Sequence, residues 1–113
     1  MLLSGLTITF LKELGVGIWI TLPLLLTIAL AITLLGQIAG RTEGWRTFDS
    51  FYWAFITATT VGYGDIRPTK VSSRLIAIFI GIMGLTFTGI LIAIAVHAGT
   101  VALAAHDAAG HLK

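Results

Sequence analysis

Seven residues near the middle of the chain contain side chains with hydroxyl and carboxyl groups and two glycines that alternate with larger residues. They read Thr59-Thr60-Val61-Gly62-Tyr63-Gly64-Asp65. Glycine adopts positive φ at little steric cost, so glycines that alternate with Val61 and Tyr63 allow successive carbonyl groups to turn to the same side. In an ordinary strand, successive groups point to opposite sides. A row of carbonyl oxygens on one side suits a hard cation that is held weakly by oxygen ligands.

Composition restricts the class of protein that contains this segment. The chain has 113 residues, of which 57% are hydrophobic and 11% are charged. Soluble domains average about 25% charged residues, so the composition predicts an integral membrane protein. Seven scattered basic residues do not form a nucleic-acid patch. The sequence contains no cysteine, which excludes disulfides and thiolate metal sites.

Two long apolar runs flank the segment and predict two membrane-spanning helices, an outer helix over 16–39 and an inner helix over 72–105. Each run exceeds the ~20 residues that cross a hydrocarbon core of ~30 Å. Between them, the apolar stretch 48–59 is too short to span, which is typical of a re-entrant helix. Residues 1–14 are predicted to be an interfacial helix or extension, or the start of the first long helix, and 106–113 a C-terminal tail.

The polar residues 40–47 are predicted to form an exposed loop, and Thr47 or Asp49 to cap the short helix after it. The carboxyl end of that helix leads into 60–65. The negative end of its helix dipole therefore favours a cation at that point.

The segment 60–65, with 57–59 before it, resembles the selectivity filter of potassium channels. In such filters, loops of this type replace the water shell of the ion. The resemblance is to the pore subunit of prokaryotic-type channels with two transmembrane helices, and it covers a pore domain over 15–105. It implies an all-α membrane protein in which two transmembrane helices flank a re-entrant pore helix and a filter. It also implies assembly as a fourfold-symmetric tetramer.

On this resemblance, the chain is expected to conduct K⁺ passively and selectively, with K⁺ as the bound and permeant ion. The implied K⁺ ligands are Thr60, Val61, Gly62 and Tyr63. The implied filter supports are Gly64, Asp65, Trp53, Tyr52 and Thr59. Tyr52 and Trp53 form a packed collar, and a hydrogen bond is expected between Trp53 and Asp65.

Other positions acquire expected roles from the same resemblance. Gly84 falls where the family places an inner-helix hinge, and Gly89 is a second candidate; close helix packing is the alternative for both. His97 is a candidate pH sensor or an interfacial histidine. Arg67 lies where some relatives bind quaternary ammonium blockers through an aromatic residue, and it is expected to repel them. Ile56 is apolar where some relatives have an acidic side chain.

One chain supplies one filter carbonyl at each level, so four chains are needed to supply eight oxygens between two levels, as in the cages of large cations. The expected partners are therefore three identical chains and the lipid bilayer of a plasma or inner membrane, crossed more than once. No nucleic acid is expected, and any regulatory partner is unknown. A filter of five residues is at most ~16 Å long, which leaves a water-filled vestibule lined by Thr86 and Ile90.

Alternative functions are open at this point. The chain is a potassium channel subunit, the isolated pore module of a larger ligand-gated channel, or a weakly selective cation channel. A potassium transporter repeat and a non-conducting scaffold are further alternatives. No regularly spaced arginines indicate a voltage sensor. No nucleophile, base and orienting group occur together, so an enzyme is not expected.

Charge distribution conflicts with the orientation that the resemblance implies. Lysine and arginine are more numerous between the predicted spanning helices than outside them. The positive-inside rule would place that loop in the cytoplasm, whereas the family places it outside. We expect the family orientation, because the filter and its short helix tie the loop to the outer mouth.

Overall fold

The computed structural model describes the backbone of residues 2–111 and the side chains of residues 4–108. That part of the chain is helical and contains no strand. Its helices are α1 (Leu2–Glu43), α2 (Thr47–Ala58) and α3 (Val71–His111). The stretches Ser4–Glu43 and Val71–Ala108 are each long and apolar enough to cross a membrane, with mean hydropathies of 2.4 and 2.5. The predicted all-α architecture with two long apolar helices is therefore confirmed.

α1 includes most of the N-terminal segment 1–14, so from Leu2 onward that segment is continuous with the first long helix. Lys12 and Glu13 interrupt the apolar character without ending the helix, because both are good helix formers. Pro23 also lies inside α1. Met1 lies outside the described residues.

The carboxyl end of α1 lies within the region 40–47 that was predicted to be a loop. The helix continues to Glu43 and ends where Gly44 adopts a φ of +79°. The Trp45 amide then donates a hydrogen bond of 2.8 Å to the Gly40 carbonyl. This arrangement is a Schellman turn, in which a glycine of positive φ closes the helix. The loop is therefore shorter than predicted, because Gly44 is the first described residue that leaves the helical conformation with a positive φ.

α2 begins and ends one residue before the predicted short helix (48–59). Its N-cap residue is Arg46, with extended backbone (φ −66°, ψ 157°) and no side-chain capping bond. The predicted capping by Thr47 or Asp49 is therefore wrong. Asp49 lies in the first turn, where its charge suits the positive end of the helix dipole.

α3 continues beyond the predicted inner helix (72–105) through the first part of the predicted tail (106–113), as far as His111. Alanine is abundant in this last part, and alanine has the highest intrinsic helix propensity. Residues 112–113 lie outside the described part of the chain.

Leu24–Thr88 forms one compact unit. Its buried apolar core contains residues of all three helices: Ile32, Ala39, Trp53, Ala54, Ala58 and Ile80. Glycines let α1 approach α2 closely, since a Cβ at Gly36 would lie 2.5 Å from the Cβ of Ala54, and one at Gly40 would lie 2.6 Å from the Cβ of Ser50. Small residues of this kind allow helix backbones to pack closely in lipid. The core thus positions α2 and its carboxyl end.

The second unit contains the described residues up to Pro23 and from Gly89 onward. Here too a glycine accommodates a larger side chain, since a Cβ at Gly17 would lie 2.5 Å from Cγ2 of Ile94. The same packing principle therefore operates in both units.

Candidate functional site

The carboxyl end of α2 leads directly into the filter-like segment, residues 59–65. Thr59 is the C-cap residue, and its amide and hydroxyl donate to the Phe55 carbonyl at 2.9 and 2.7 Å. The Thr60 amide donates to the Thr57 carbonyl at 3.2 Å. These bonds satisfy carbonyls that a helix end otherwise leaves without an intrahelical partner. The start of the filter-like segment is therefore fixed to the last turn of α2.

Backbone conformation alternates along the filter-like segment. Thr60, Gly62 and Gly64 have positive φ values of 65°, 52° and 82°, whereas Val61 and Tyr63 do not. The two glycines adopt the conformation that their spacing predicts. Thr60 continues the alternation although it has a Cβ, at a cost of about 1–2 kcal/mol. Strain of this kind clusters at functional sites.

Two successive amides of the segment point towards α2. The Val61 and Gly62 amides both donate to the carbonyl of Ile56, at 3.1 and 3.2 Å. In a planar trans peptide the carbonyl points opposite to the amide of the next residue. The carbonyls of Thr60 and Val61 therefore both point away from α2, as a row of oxygen ligands requires.

The filter-like segment has few partners within a single chain. Every residue from Thr59 to Asp65 is exposed. The exposed fraction is 50% for Val61 and 71% for Tyr63. Exposed large side chains beside strained backbone indicate a surface that has another partner.

The predicted collar residues lie behind the segment in different surroundings. Trp53 is 5% exposed and packs against Trp45, with ring centroids 5.1 Å apart. A cavity of about 320 Å³ lies beside the collar, and Ile56 and Gly64 are among its lining residues. Trp53 therefore belongs to the core that supports the segment.

Tyr52, rather than Trp53, is the collar residue that faces Asp65. Desolvation raises the pKa of the Tyr52 phenol, and the hydrogen bond to the Asp65 carboxylate raises this pKa further. No hydrogen bond joins Trp53 to Asp65 among the side chains that the structure describes. Tyr52, the residue before Trp53, is therefore the collar residue that interacts with Asp65.

The predicted gating residues are spread along α3. Gly84 is buried against the backbone of Ala58, whereas a Cβ at Gly89 would meet nothing within 4 Å. His97 is exposed. Thr86 is exposed, and its hydroxyl donates to a backbone carbonyl one turn earlier at 2.9 Å. The structure thus brings Gly84 alone of these residues against the end of α2.

Arg67 lies beside the carboxyl end of the segment. Its Cδ is 4.0 Å from the position that a Cβ on Gly64 would occupy, and its side chain is exposed. No acidic side chain in the described part of the chain forms an ion pair with it. Arg67 therefore places a positive charge next to the last glycine of the segment, two residues from Asp65.

The sequence pattern did not predict a set of contacts that joins the end of α1 to the start of α3. The Glu43 carboxylate accepts hydrogen bonds from the Thr69 amide, from the Thr69 hydroxyl at 2.9 Å and from the Lys70 amide at 3.4 Å. The Lys70 ammonium donates to the Thr42 carbonyl at 2.7 Å. We call these contacts the Glu43–Lys70 clamp.

The clamp has an electrostatic logic that the sequence could have revealed. Glu43 is at the carboxyl end of its own helix and Lys70 directly precedes the amino end of the next. Both positions are unfavourable for the charge within its own helix, and both become favourable when each side chain reaches the other helix. The sequence signal for such a clamp is an acidic residue at the carboxyl end of one helix together with a basic residue just before the amino end of the next.

Comparison with known proteins relates this geometry to a function. A family described as "Ion channel" matches residues 18–100. "TWiK family of potassium channels protein 7" of Caenorhabditis elegans is 39% identical over 70 residues, which cover 59% of this chain and 13% of that protein. "Potassium channel protein 1" of Methanocaldococcus jannaschii is 37% identical over 67 residues, covering 57% of this chain and 20% of that protein.

A third relative, "Voltage-gated potassium channel" of Aeropyrum pernix, is 42% identical over 45 residues, covering 40% of this chain and 15% of that protein. The chain thus spans a fifth or less of the length of these relatives. No solved structure matches it at a significant level. The family match nevertheless covers the greater part of the chain, including α2 and the filter-like segment. The chain therefore belongs to the ion-channel family.

Proposed function

We propose that this chain is a subunit of a potassium-selective channel that conducts K⁺ passively through the filter-like segment. The observation that carries the proposal is the backbone geometry of Thr60, Gly62 and Gly64, whose φ values are positive at alternate positions. Together with the amides that bond to Ile56, this geometry turns neighbouring carbonyls away from α2. Rings of main-chain carbonyls replace the hydration shell of K⁺ in potassium channels.

The proposed K⁺ ligands are the carbonyl oxygens of Thr60, Val61, Gly62 and Tyr63, and the Thr60 hydroxyl closes the inner end. In the single chain that hydroxyl donates to the Thr59 carbonyl at 2.6 Å, so it lies at the start of the segment. Ions occupy successive sites, and repulsion between neighbours lets each site release its ion. Tyr52, Trp53, Thr59, Gly64 and Asp65 support this geometry.

We propose a homotetramer of fourfold symmetry. One chain provides one oxygen at each level, whereas four chains provide the eight-oxygen cage that suits a large cation. Irregular backbone at membrane depth survives only when it is buried in protein or faces water, and residues 59–65 are exposed in the single chain. Four copies around one axis cover this surface and make α2 a re-entrant pore helix. Thr86 and Ile90 then line the vestibule below the filter.

The names of the relatives support potassium as the ion, because all three are named as potassium channels. The two long apolar stretches support a multi-pass protein, which we place in the plasma or inner membrane. In that membrane, α1 and α3 each cross the bilayer once.

A second candidate is the pore module of a larger, ligand-gated channel. The relatives are at least five times longer than the segments that match, so this pore occurs within larger proteins. The two candidates share the conduction mechanism and differ in the gate. A channel that opens in bilayers without added ligand supports the first candidate.

The test of the proposal is a planar-bilayer recording of the purified chain, with K⁺ on one side and Na⁺ on the other. With equal concentrations of the two salts, we expect unitary currents whose reversal potential lies far from zero, in the direction that K⁺ permeation sets. Gly62→Ala should abolish selectivity, because its φ of +52° is strained for any residue with a Cβ. Gly81→Ala is the matched control, since nothing lies within 4 Å of the added methyl group. A reversal potential close to zero at equal concentrations of the two ions would contradict potassium selectivity.

A further inference from the structure

α3 meets the carboxyl end of α2 at a buried glycine, Gly84. A Cβ at Gly84 would lie 2.6 Å from the carbonyl carbon and from the Cα of Ala58, and closer still to its carbonyl oxygen. Carbon atoms in contact are normally about 3.5–4.0 Å apart. All three atoms of Ala58 belong to the backbone, so no side-chain rotation removes the overlap. A side chain at Gly84 must therefore displace either α3 or the last turn of α2.

The last turn of α2 supplies the acceptors that orient the filter-like segment. Ala58 is the final residue of α2, two residues before Thr60. The Ile56 carbonyl accepts the amides of Val61 and Gly62. A displacement of Ala58 is therefore passed to the residues whose carbonyls form the proposed K⁺ sites.

Space beside this contact lets the end of α2 move. A cavity of about 50 Å³ adjoins Ala58 and Gly84, and Ile32, Phe55 and Phe87 are among its lining residues. A close-packed neighbour would resist displacement, because protein interiors are packed as densely as organic crystals. An unfilled neighbouring volume instead allows the last turn of α2 to shift without unfolding the unit.

We infer that Gly84 is a positioning residue for the filter. Its missing side chain seats the carboxyl end of α2 against α3, and this contact sets the position of the filter carbonyls. The inference rests on the proposed potassium-channel function and assigns Gly84 a role other than bending. A glycine that only bends α3 affects how often the pore opens. A glycine that seats α2 affects which ions pass.

The chain offers two matched controls on the same helix. Gly81 and Gly89 both lie in α3, and a Cβ at either position would meet nothing within 4 Å. Gly81→Ala, Gly84→Ala and Gly89→Ala therefore make the same chemical change and the same gain in helix propensity. They differ in whether the methyl group meets the backbone of α2.

The experiment measures the K⁺/Na⁺ permeability ratio and the open probability of the three variants in bilayers. We expect Gly84→Ala to lower the ratio about tenfold or more, because displacements of about 1 Å cost up to a hundredfold at sites that depend on geometry. Gly81→Ala and Gly89→Ala should keep the wild-type ratio. A Gly84→Ala channel with the wild-type ratio and an altered open probability overturns the inference and makes Gly84 a hinge.

A second format covers the case in which four Gly84→Ala chains do not assemble. Four copies are joined in one polypeptide and a single copy carries Gly84→Ala, so three filter strands are unchanged. We expect a partial loss of selectivity, and an unchanged ratio overturns the inference. Failure of the proposed function is distinguishable, because then the wild-type channel itself lacks K⁺ selectivity.

Discussion

Thr60 carries the conformational cost of the filter-like segment at the scale of single residues. Its φ of +65° places a Cβ where a left-handed backbone costs about 1–2 kcal/mol. The amides of Thr60, Val61 and Gly62 all bond to carbonyls of α2, and each such bond contributes about 0.5–1.5 kcal/mol net. The strained conformation is therefore stabilised from within the chain, before any ion binds.

Arg67 allows a prediction about ion entry. In the proposed tetramer, four copies of this exposed charge beside Gly64 lower the local K⁺ concentration at the mouth, since surface charge changes the local concentration of mobile ions. Arg67→Gln should raise unitary conductance severalfold in dilute KCl. The gain should vanish at 1 M salt, where the Debye length is about 3 Å. Bilayer recordings over a range of KCl concentrations measure this dependence.

The control for Arg67→Gln is Arg41→Gln, which removes the same charge from an exposed position on α1. It should change conductance less at every salt concentration. An increase that persists at 1 M salt would show that the side chain obstructs the path sterically rather than by its charge.

Tyr52 allows a prediction about filter support. Tyr52→Phe removes the hydroxyl that interacts with the Asp65 carboxylate and keeps the ring. We expect the conducting state to require a higher K⁺ concentration, because bound K⁺ and the hydrogen bond both stabilise the ordered filter. Tyr52→Trp should restore much of the wild-type behaviour, since the indole N–H is a donor. Equal K⁺ dependence of the Phe and Trp variants would contradict a hydrogen-bonding role.

Predictions for single residues succeeded where backbone stereochemistry determines the conformation. They failed where the direction of a side chain determines its partner. Gly62 and Gly64 have positive φ, as their spacing predicted. The partner of Asp65 was misassigned, because Tyr52 and Trp53 are adjacent on a helix and point about 100° apart. The rotation of α2 selects between them, and that rotation depends on packing against α1 and α3.

At the scale of elements, the Glu43–Lys70 clamp joins the ends of two helices that the filter-bearing residues separate. Its contacts close the stretch between Glu43 and Thr69, which contains α2 and the filter-like segment. Fixing the ends of that stretch removes conformational freedom that the unclamped chain would have. The clamp therefore limits the motion of this end of the unit independently of the buried core.

Substitution of Glu43 tests the clamp. Glu43→Ala removes the acceptor of the Thr69 and Lys70 amides and should lower the melting temperature of the reconstituted protein. Glu43→Gln should have a smaller effect, because its amide oxygen still accepts a hydrogen bond. Tryptophan fluorescence is a suitable readout, since Trp45 and Trp53 lie in the same unit. Glu13→Ala, on the same helix, is the control, and an equal loss there would contradict the clamp.

The existence of the three helices could be predicted from the sequence, but their ends could not. The length of two apolar runs indicated α1 and α3. The shorter apolar stretch between these runs indicated α2. Polar residues such as Lys12 and Arg41 suggested boundaries, yet they are good helix formers and α1 includes both. The conformation of Gly44 sets the actual end. The clamp was missed because it joins residues 26 and 27 positions apart, and only the charges of Glu43 and Lys70 at the two helix ends indicate it.

At the scale of the whole molecule, the proposed K⁺ site is incomplete in a single chain. Membership of the ion-channel family confirms that the chain is not an enzyme, as the lack of a catalytic constellation predicted. In the proposed assembly, lipid and other copies of the chain cover the exposed filter-like segment and the exposed apolar faces of α1 and α3. The apolar composition of the sequence could indicate that these surfaces are covered. The arrangement of copies depends on contacts between chains, which composition does not specify.

Ion-dependent stability of the assembly is the prediction that belongs to this scale. K⁺ that binds only the ordered filter of four chains stabilises that state by about 2.7 kcal/mol when its concentration is a hundred times Kd. The melting temperature of the tetramer should therefore rise with KCl and stay level with NaCl at equal ionic strength. Gly62→Ala should remove this difference, because a Cβ strains the backbone at its φ of +52°, while Gly81→Ala should retain it. Equal stabilisation of the wild-type protein by both salts would mean that residues 60–63 do not form a K⁺ site, and would leave the exposed backbone without the ligand that explains its conformation.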